Sequence, residues 1–323
     1  MIGSLVWQFI KWHKILGDAV ATRLFDRKLP PPTQREQELA DELRAALSTD
    51  SKVASLPTWV KFRDQVRMAC ENQDPRSFLR WPIVQHAMCL TNSGAVVPEY
   101  LALRASGRWD HFEKAVAESA AGNPVRFLYY PSSSGSLLHH CHHVMSFERA
   151  TGSDLAGADV ILEFGGGYGS MCRLLHRLGF SGRYFIYDLP EFVALQRYFL
   201  KSLDLPVRDG APGGSAAGIY HFTNLESLQK ALQDIPSEAR KAFIATWSLS
   251  ESQPLLRDHF LPLVERFDSF LIAFQDFFCE VDNVAYFAGF QRSTAFRVEW
   301  TRKRLRELPG NNYLFGKSLC ANS

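Results

Sequence analysis

The stretch that most constrains this chain is a run of apolar residues, Val160, Ile161 and Leu162, leading into Glu163 and Phe164 and then into glycines at 165, 166, 167 and 169. Met171, Leu174, Leu175 and Leu178 follow at i, i+3, i+4 and i+7, the spacing of one helix face, and Gly179 stands at the C-cap position. The pattern predicts a buried parallel strand, a tight turn and a helix. Glycines at the turn let backbone approach a ligand closely, and the helix start presents N–H groups to it. A second strand, Tyr184 to Tyr187, ends in Asp188, about 25 residues past Glu163, where a βαβ nucleotide fold places a carboxylate for ribose hydroxyls.

Spacing then selects among cofactors. Read from Gly165, a dinucleotide G-x-G-x-x-G fingerprint meets Ser170 at its third glycine; read from Glu163, E-x-G-x-G-x-G is complete. The second pattern is similar to motif I of class I S-adenosylmethionine-dependent methyltransferases. That resemblance implies that Glu163 and the loop Gly165, Gly166, Gly167, Tyr168 and Gly169 hold the methionine end of the cofactor and that Asp188 holds its ribose. The competing reading is a glycine turn inside an α/β core with no ligand.

The 323 residues suffice for one large domain or two ordinary ones. A 46% hydrophobic, 22% charged composition is that of a globular enzyme, and a net charge of +2 offers no electrostatic case for nucleic acid. Six cysteines at 70, 89, 141, 172, 279 and 320 form no C-x-x-C pair, which points to reduced thiols and a cytoplasmic location. No apolar run spans a bilayer, so no transmembrane segment is expected, and the N-terminus lacks the basic region and cleavage site of a signal peptide. Residues 1–29 read as an amphipathic helix closed by Pro30, Pro31 and Pro32. Such a helix either makes a peripheral membrane contact or packs on its own domain or a partner chain, and the second placement is favoured. Oligomeric state is open.

Helical patterns follow at 33–47, 58–72, 75–92, 98–103 and 111–121, so residues 1–150 read as a mainly helical cap. Four of the ten histidines fall within 139–143. His139 and His143, four apart, could share a metal, but no H-E-x-x-H carboxylate accompanies them; one of the histidines as a general base is the other reading. From 151 to 323 strands and helices alternate. Beyond 160–164 and 184–187, strands fit 219–222, 242–247 and 269–274, a Gly/Ala/Pro/Ser loop fits 210–218, and Thr223 to Glu226 reads as a capping box. Pro309 to Asn312 reads as the turn of a final hairpin. The order predicts an α/β, Rossmann-like sheet of five parallel strands plus a C-terminal antiparallel hairpin, as class I methyltransferases have.

Several separate segments resemble the sugar O-methyltransferase family. They are Phe78 to Pro82, Gly122 to Pro124, the serine-rich run into the histidines, Glu163 to Gly169 and Asp188 to Glu191. Thr246 to Glu251, Asp282 with Asn283, and Pro309 to Gly316 complete the set, which covers roughly residues 58–318. The resemblance implies methyl transfer to a sugar hydroxyl in polysaccharide or glycoconjugate biosynthesis.

Loops after the five strands should converge at their carboxyl ends. Leu189 is placed against the adenine, His221, Thr223 and Asn224 near its edge, and Tyr168 or Trp247 over the sulfonium, and Ser248 is a further cofactor-binding candidate. Candidates for the base that activates the acceptor hydroxyl are Glu251, His140, His143 and Asp276. A divalent cation (Mg) held by Asp276, Glu280 or Asp282 is an alternative, although no metal-ligand set is assigned. Competing readings are a small-molecule (aromatic or polyketide) O-methyltransferase, an NAD-linked oxidoreductase, and a non-catalytic module on the same fold.

Overall fold

The computed structural model describes residues 2–26, 28–49, 55–210 and 216–319. The chain begins with helices α1 (Ile2–Phe25), α2 (Gln34–Ser48) and α3 (Pro57–Asn72), a 3-10 turn (Pro75–Arg80), then α4 (Pro82–Met88), α5 (Val96–Arg104) and α6 (Trp109–Ala115). Short strands β1 (Arg126–Phe127) and β2 (Tyr130–Ser134) precede α7 (Gly135–Thr151). The alternating half runs β3 (Val160–Phe164), α8 (Ser170–Arg177), β4 (Arg183–Tyr187), α9 (Pro190–Ser202), β5 (Gly218–Phe222), α10 (Leu225–Gln233), β6 (Lys241–Thr246), α11 (Pro254–Val264) and β7 (Ser269–Gln275). It closes with β8 (Phe277–Phe278), β9 (Val281–Asp282), α12 (Asn283–Thr294), β10 (Val298–Arg304) and β11 (Asn311–Ser318).

Compactness divides the chain into two units. The first holds residues 1–142, 167–178 and 190–205, and the second holds 143–166, 179–189 and 206–323. The division falls within α7, between His142 and His143, and within the glycine turn, between Gly166 and Gly167.

The second unit is built on a seven-stranded sheet in the order β10-β11-β7-β6-β3-β4-β5. Strands β3 to β7 of this sheet run parallel, and β11 pairs antiparallel with both β7 and β10. This is the Rossmann-like arrangement expected from the sequence, five parallel strands and a closing hairpin. All five residues of β3 are buried, as an apolar run in a central parallel strand requires. Phe164, Phe185, Phe243, Phe260 and Phe270 anchor the core, with Phe164 and Phe260 edge to face at 4.6 Å. Chain order reverses about β3, since β4 lies on one side of it and β6 on the other. Such a switch opens a crevice beyond the carboxyl ends of the strands.

The first unit is mainly helical. Phe78 is fully buried and meets Trp81, Tyr168, Tyr198 and Phe199 edge-on. Burial works against the charge of Glu191 at the start of α9, but hydrogen bonds from Arg63 hold its carboxyl below the usual range. Arg67 adds a further bond to the same carboxylate.

Several local readings are corrected. The pattern over 75–92 is a 3-10 turn and a short helix, because Pro82 holds Trp81 at φ −61°, ψ 133° and breaks the run. Helix α10 is capped by Asn224, whose side chain accepts from the Ser227 N–H at 2.9 Å, so the Thr223 capping box does not form. The helix expected at 111–121 is α6, earlier and shorter, and α1 ends at Phe25, ahead of the proline run. Strands β1, β8 and β9, two residues each, are too short to leave a period-two signal, and β2 carries a proline and three serines in place of an apolar alternation. Most of the loop at 210–218, as well as Cys320 and Arg27, lie outside the described residues. Cys70, Cys89, Cys141, Cys172 and Cys279 are free thiols.

Candidate functional site

In the sheet unit, parallel register brings the ends of β3, β4 and β5 level: Phe164 faces Tyr187, and Tyr187 faces Phe222. Glu163, one residue before the end of β3, is 2% exposed and accepts a hydrogen bond from the Tyr184 hydroxyl at 2.9 Å. Burial pushes its carboxyl up to about 8; the Tyr184 bond opposes the shift and the Asp188 charge adds to it. A buried acid in this condition is a ready acceptor for a cation, because an ammonium beside it would restore its charge.

The turn after β3 uses positive φ at Gly165 (71°), Gly167 (56°) and Gly169 (94°), where side chains with a Cβ are strained. At Gly165 the constraint is also spatial: a Cβ there would stand 2.2 Å from the Ser248 Cβ. Ser248, in turn, donates from its hydroxyl to the Phe164 carbonyl. The loop after β6 is thereby tied to the tip of β3, within this unit. Asp188 follows β4, where its N–H donates to the Phe222 carbonyl at 3.1 Å and its Oδ1 accepts the Leu189 N–H at 2.8 Å. Thr223 follows β5 in the same row of strand ends.

Beyond β6 stands Trp247, a non-glycine residue at φ 65°. Such a conformation costs roughly 1–3 kcal/mol and persists only where its surroundings enforce it. Here the Trp247 N–H donates to the Ala273 carbonyl at 2.7 Å and its indole Nε1 to Asn311 Oδ1 at 2.6 Å. The His143 ring lies 5.4 Å from the Trp247 ring, and His143 Nδ1 shares a 2.5 Å hydrogen bond with the Tyr313 hydroxyl. Both His143 and Tyr313 are buried. Glu251, four residues past Trp247, accepts from Gln275 Nε2 at 3.2 Å, while Ser250 Oγ donates to Gln275 Oε1 at 2.8 Å. Burial raises the Glu251 carboxyl, with the Gln275 bond opposing. Arg257, fully buried, donates to the carbonyls of Ser250 and Ser252 and to Asn283 Oδ1 at 2.6 Å, which fixes the loop that carries Glu251.

The sheet unit thus brings Glu163, near the end of β3, and Gly165, Gly166, Asp188, Leu189, Thr223, Trp247, Ser248, Glu251 and Asp276, in the segments after the strands, to the carboxyl ends of its parallel strands, with His143 of α7 beside Trp247. Asp276 is engaged there, since its Oδ1 accepts from Asn312 Nδ2 at 2.7 Å. Asp282 caps α12 by accepting the Ala285 N–H at 2.9 Å. Among the described residues no group of three or more His, Cys, Asp or Glu side chains is placed to hold a metal ion.

The helical unit holds Gly167, Tyr168, Gly169 and His140. The Gly167 carbonyl accepts from Gln196 Nε2 at 3.0 Å. The Tyr168 ring packs against Phe199 at 5.2 Å and is 4% exposed, so in this unit it is a core aromatic. Burial, then the neighbouring His139, pushes His140 down to about 3, which keeps its imidazole neutral at ordinary pH. His139 Nδ1 donates to both oxygens of buried Glu99 at 2.8 Å, and His142 Nδ1 lies 3.8 Å from the same carboxylate. The sequence reading gave no site role to Glu99, Gln196 or Gln275, nor to Asn311 and Tyr313 within the Pro309 to Gly316 segment. Each lies far along the chain from its partner, so no local pattern announces the pairing.

No family model and no curated protein matches this sequence. Among solved structures it is similar to an O-methyltransferase family protein from Burkholderia thailandensis at 12% identity, covering 69% of this chain and 71% of that one, with a TM-score of 0.35. It is also similar to precorrin-6y C5,15-methyltransferase from Geobacter metallireducens GS-15 at 13% identity, covering 58% and 88%, with a TM-score of 0.37. A third is the 16S rRNA methylase ArmA, at 15% identity, 57% and 86% coverage and a TM-score of 0.34.

Proposed function

We propose that this protein is an S-adenosylmethionine-dependent O-methyltransferase acting on a sugar hydroxyl, in polysaccharide or glycoconjugate biosynthesis. One observation carries the cofactor assignment: a buried Glu163 near the end of the central strand, followed by left-handed glycines, with Asp188 directly after the next strand. These residues fit the cofactor's chemistry. Glu163 would hold the amino group, the glycine turn would take the methionine end along its backbone, and Asp188 would hold the ribose hydroxyls. When bound, the cofactor supplies a methyl already activated by its sulfonium.

The chain's own task is to orient the acceptor oxygen and remove its proton. Orientation alone lowers such a barrier by roughly 7–11 kcal/mol. Glu251 is the base we favour, since burial keeps its carboxyl basic and Gln275 fixes its direction. His143, oriented by Tyr313, is the second candidate, and Trp247 offers an aromatic face to a cation. The sugar acceptor rests on the segments that resemble sugar O-methyltransferases.

Calorimetry with S-adenosylhomocysteine and with NAD tests the cofactor. Micromolar binding of the first and none of the second is expected, and the reverse would reject the reading. Transfer of labelled methyl to a panel of sugars, nucleotide sugars and phenols then tests the acceptor; label on phenols alone would reject a sugar.

A further inference from the structure

Helix α1 leaves a broad apolar face uncovered. Phe9, Trp12, Leu16 and Leu24 are 62–64% exposed, and Ile15 and Val20 are exposed beside them. At about 100° per residue these six side chains sweep an arc of roughly 180°. Other positions of the helix dock on its own unit. Ile10 and Ala21 are buried, Gly17 sits so close that a Cβ would meet Asn92 at 2.6 Å, and His13 Nδ1 bonds the Asn92 carbonyl at 2.8 Å. Asp18 accepts from Lys14 at 2.8 Å, from the Thr91 hydroxyl at 2.7 Å and from the Asn92 N–H at 3.1 Å. The helix is therefore held firmly by one side and uncovered on the other.

The charges on the uncovered side have one sign. Lys11 borders the apolar arc, Arg23 lies within it, and both are exposed, with no carboxylate at salt-bridge distance among the described residues. The acids within and directly after α1 are spent elsewhere, Asp18 as above and Asp26 on Arg80 at 3.1 Å. A second copy of the same face would bury Arg23 without offering it an acid, which is costly. An anionic bilayer surface meets both demands: it takes the apolar side chains at the acyl boundary and leaves the guanidinium among phosphates.

We propose that α1 seats this protein on the surface of a membrane containing anionic phospholipid, with Phe9, Trp12, Leu16, Val20 and Leu24 inserted and Lys11 and Arg23 at the headgroups. The helix lies in the plane of the surface and does not cross it; no described helix is long and apolar enough to do so. This inference is independent of the reaction proposed above.

The test is co-sedimentation of the full chain with vesicles of phosphatidylglycerol mixed with phosphatidylcholine, against phosphatidylcholine alone. Binding to the mixed vesicles is expected to be roughly tenfold or more stronger and to fall with added salt. Trp12→Glu with Leu16→Glu should weaken it at least roughly tenfold. These side chains are exposed, so the melting temperature should hold; if it drops, Arg23→Glu, which removes only the electrostatic part, carries the comparison. Absence of binding to the mixed vesicles overturns the proposal. So does binding that both variants leave unchanged, or a dimer in light scattering that Trp12→Glu/Leu16→Glu dissolves while vesicles are ignored.

Discussion

The hydroxyl of Tyr313 on β11 and Nδ1 of His143 on α7 lie 2.5 Å apart, although 170 residues separate them in sequence. The bond crosses from the closing hairpin to the helix that leads into the central strand, and both partners are buried. It sets the direction of an imidazole that packs beside Trp247. Loss of one partner of a buried hydrogen bond costs about 1–3 kcal/mol. Tyr313→Phe should therefore lower urea-unfolding stability by about that amount. It should also change the His143 tautomer seen by nitrogen NMR, which a pure packing loss would leave alone.

Glu163 gives stability a pH dependence opposite to that of an ion-paired acid. Its folded-state value lies at about 8, against 4.5 for an ordinary glutamate. Between those values the folded chain keeps a proton that the unfolded chain has released, so stability is full below the window and declines as pH rises through it. Denaturant midpoints at about pH 5 and about pH 8.5 should differ in that sense, and Glu163→Gln should flatten the difference.

The same group predicts a proton signature for cofactor binding. An ammonium placed beside Glu163 drives its carboxyl to ionise, so S-adenosylhomocysteine should bind with release of close to one proton near neutral pH. Calorimetry in two buffers of different ionisation enthalpy measures that number, and Glu163→Gln should bring it near zero.

Gly165→Ala combines a strained backbone at φ 71° with a Cβ at 2.2 Å from that of Ser248. The Ser248 bond to Phe164 would have to yield. A stability loss of roughly 2–4 kcal/mol is expected, together with loss of cofactor binding. Gly152→Ala, at φ 66° with open space around it, is the control for backbone strain alone.

If Glu251 takes the acceptor's proton, Glu251→Gln should lower kcat by about 10²–10⁴-fold while leaving the cofactor dissociation constant near its original value. Arg257→Leu should lower kcat without touching the acceptor, because it releases the Ser250 and Ser252 carbonyls that hold the loop. Its signature is a fall in stability alongside activity, which Glu251→Gln should not share.

What the sequence by itself determined is what local forces decide. Short apolar runs make buried strands, the 3.6-residue spacing of Met171, Leu174 and Leu175 makes a helix, and glycines at 165, 167 and 169 admit left-handed backbone. Those signals are complete within a dozen residues, so β3, the turn, α8 and the alternation to β7 were legible, as were the closing hairpin and the acids Glu163 and Asp188. Tertiary structure decided what depends on distant partners. It set Ser248 against Gly165, turned Trp247 into a left-handed residue through Asn311, gave His143 to Tyr313 and His139 to Glu99, and grouped residues 167–178 and 190–205 with the N-terminal helices. Side-chain partnerships of this kind follow from how strands and helices pack, and packing is a property of the assembled chain that no short window of residues contains.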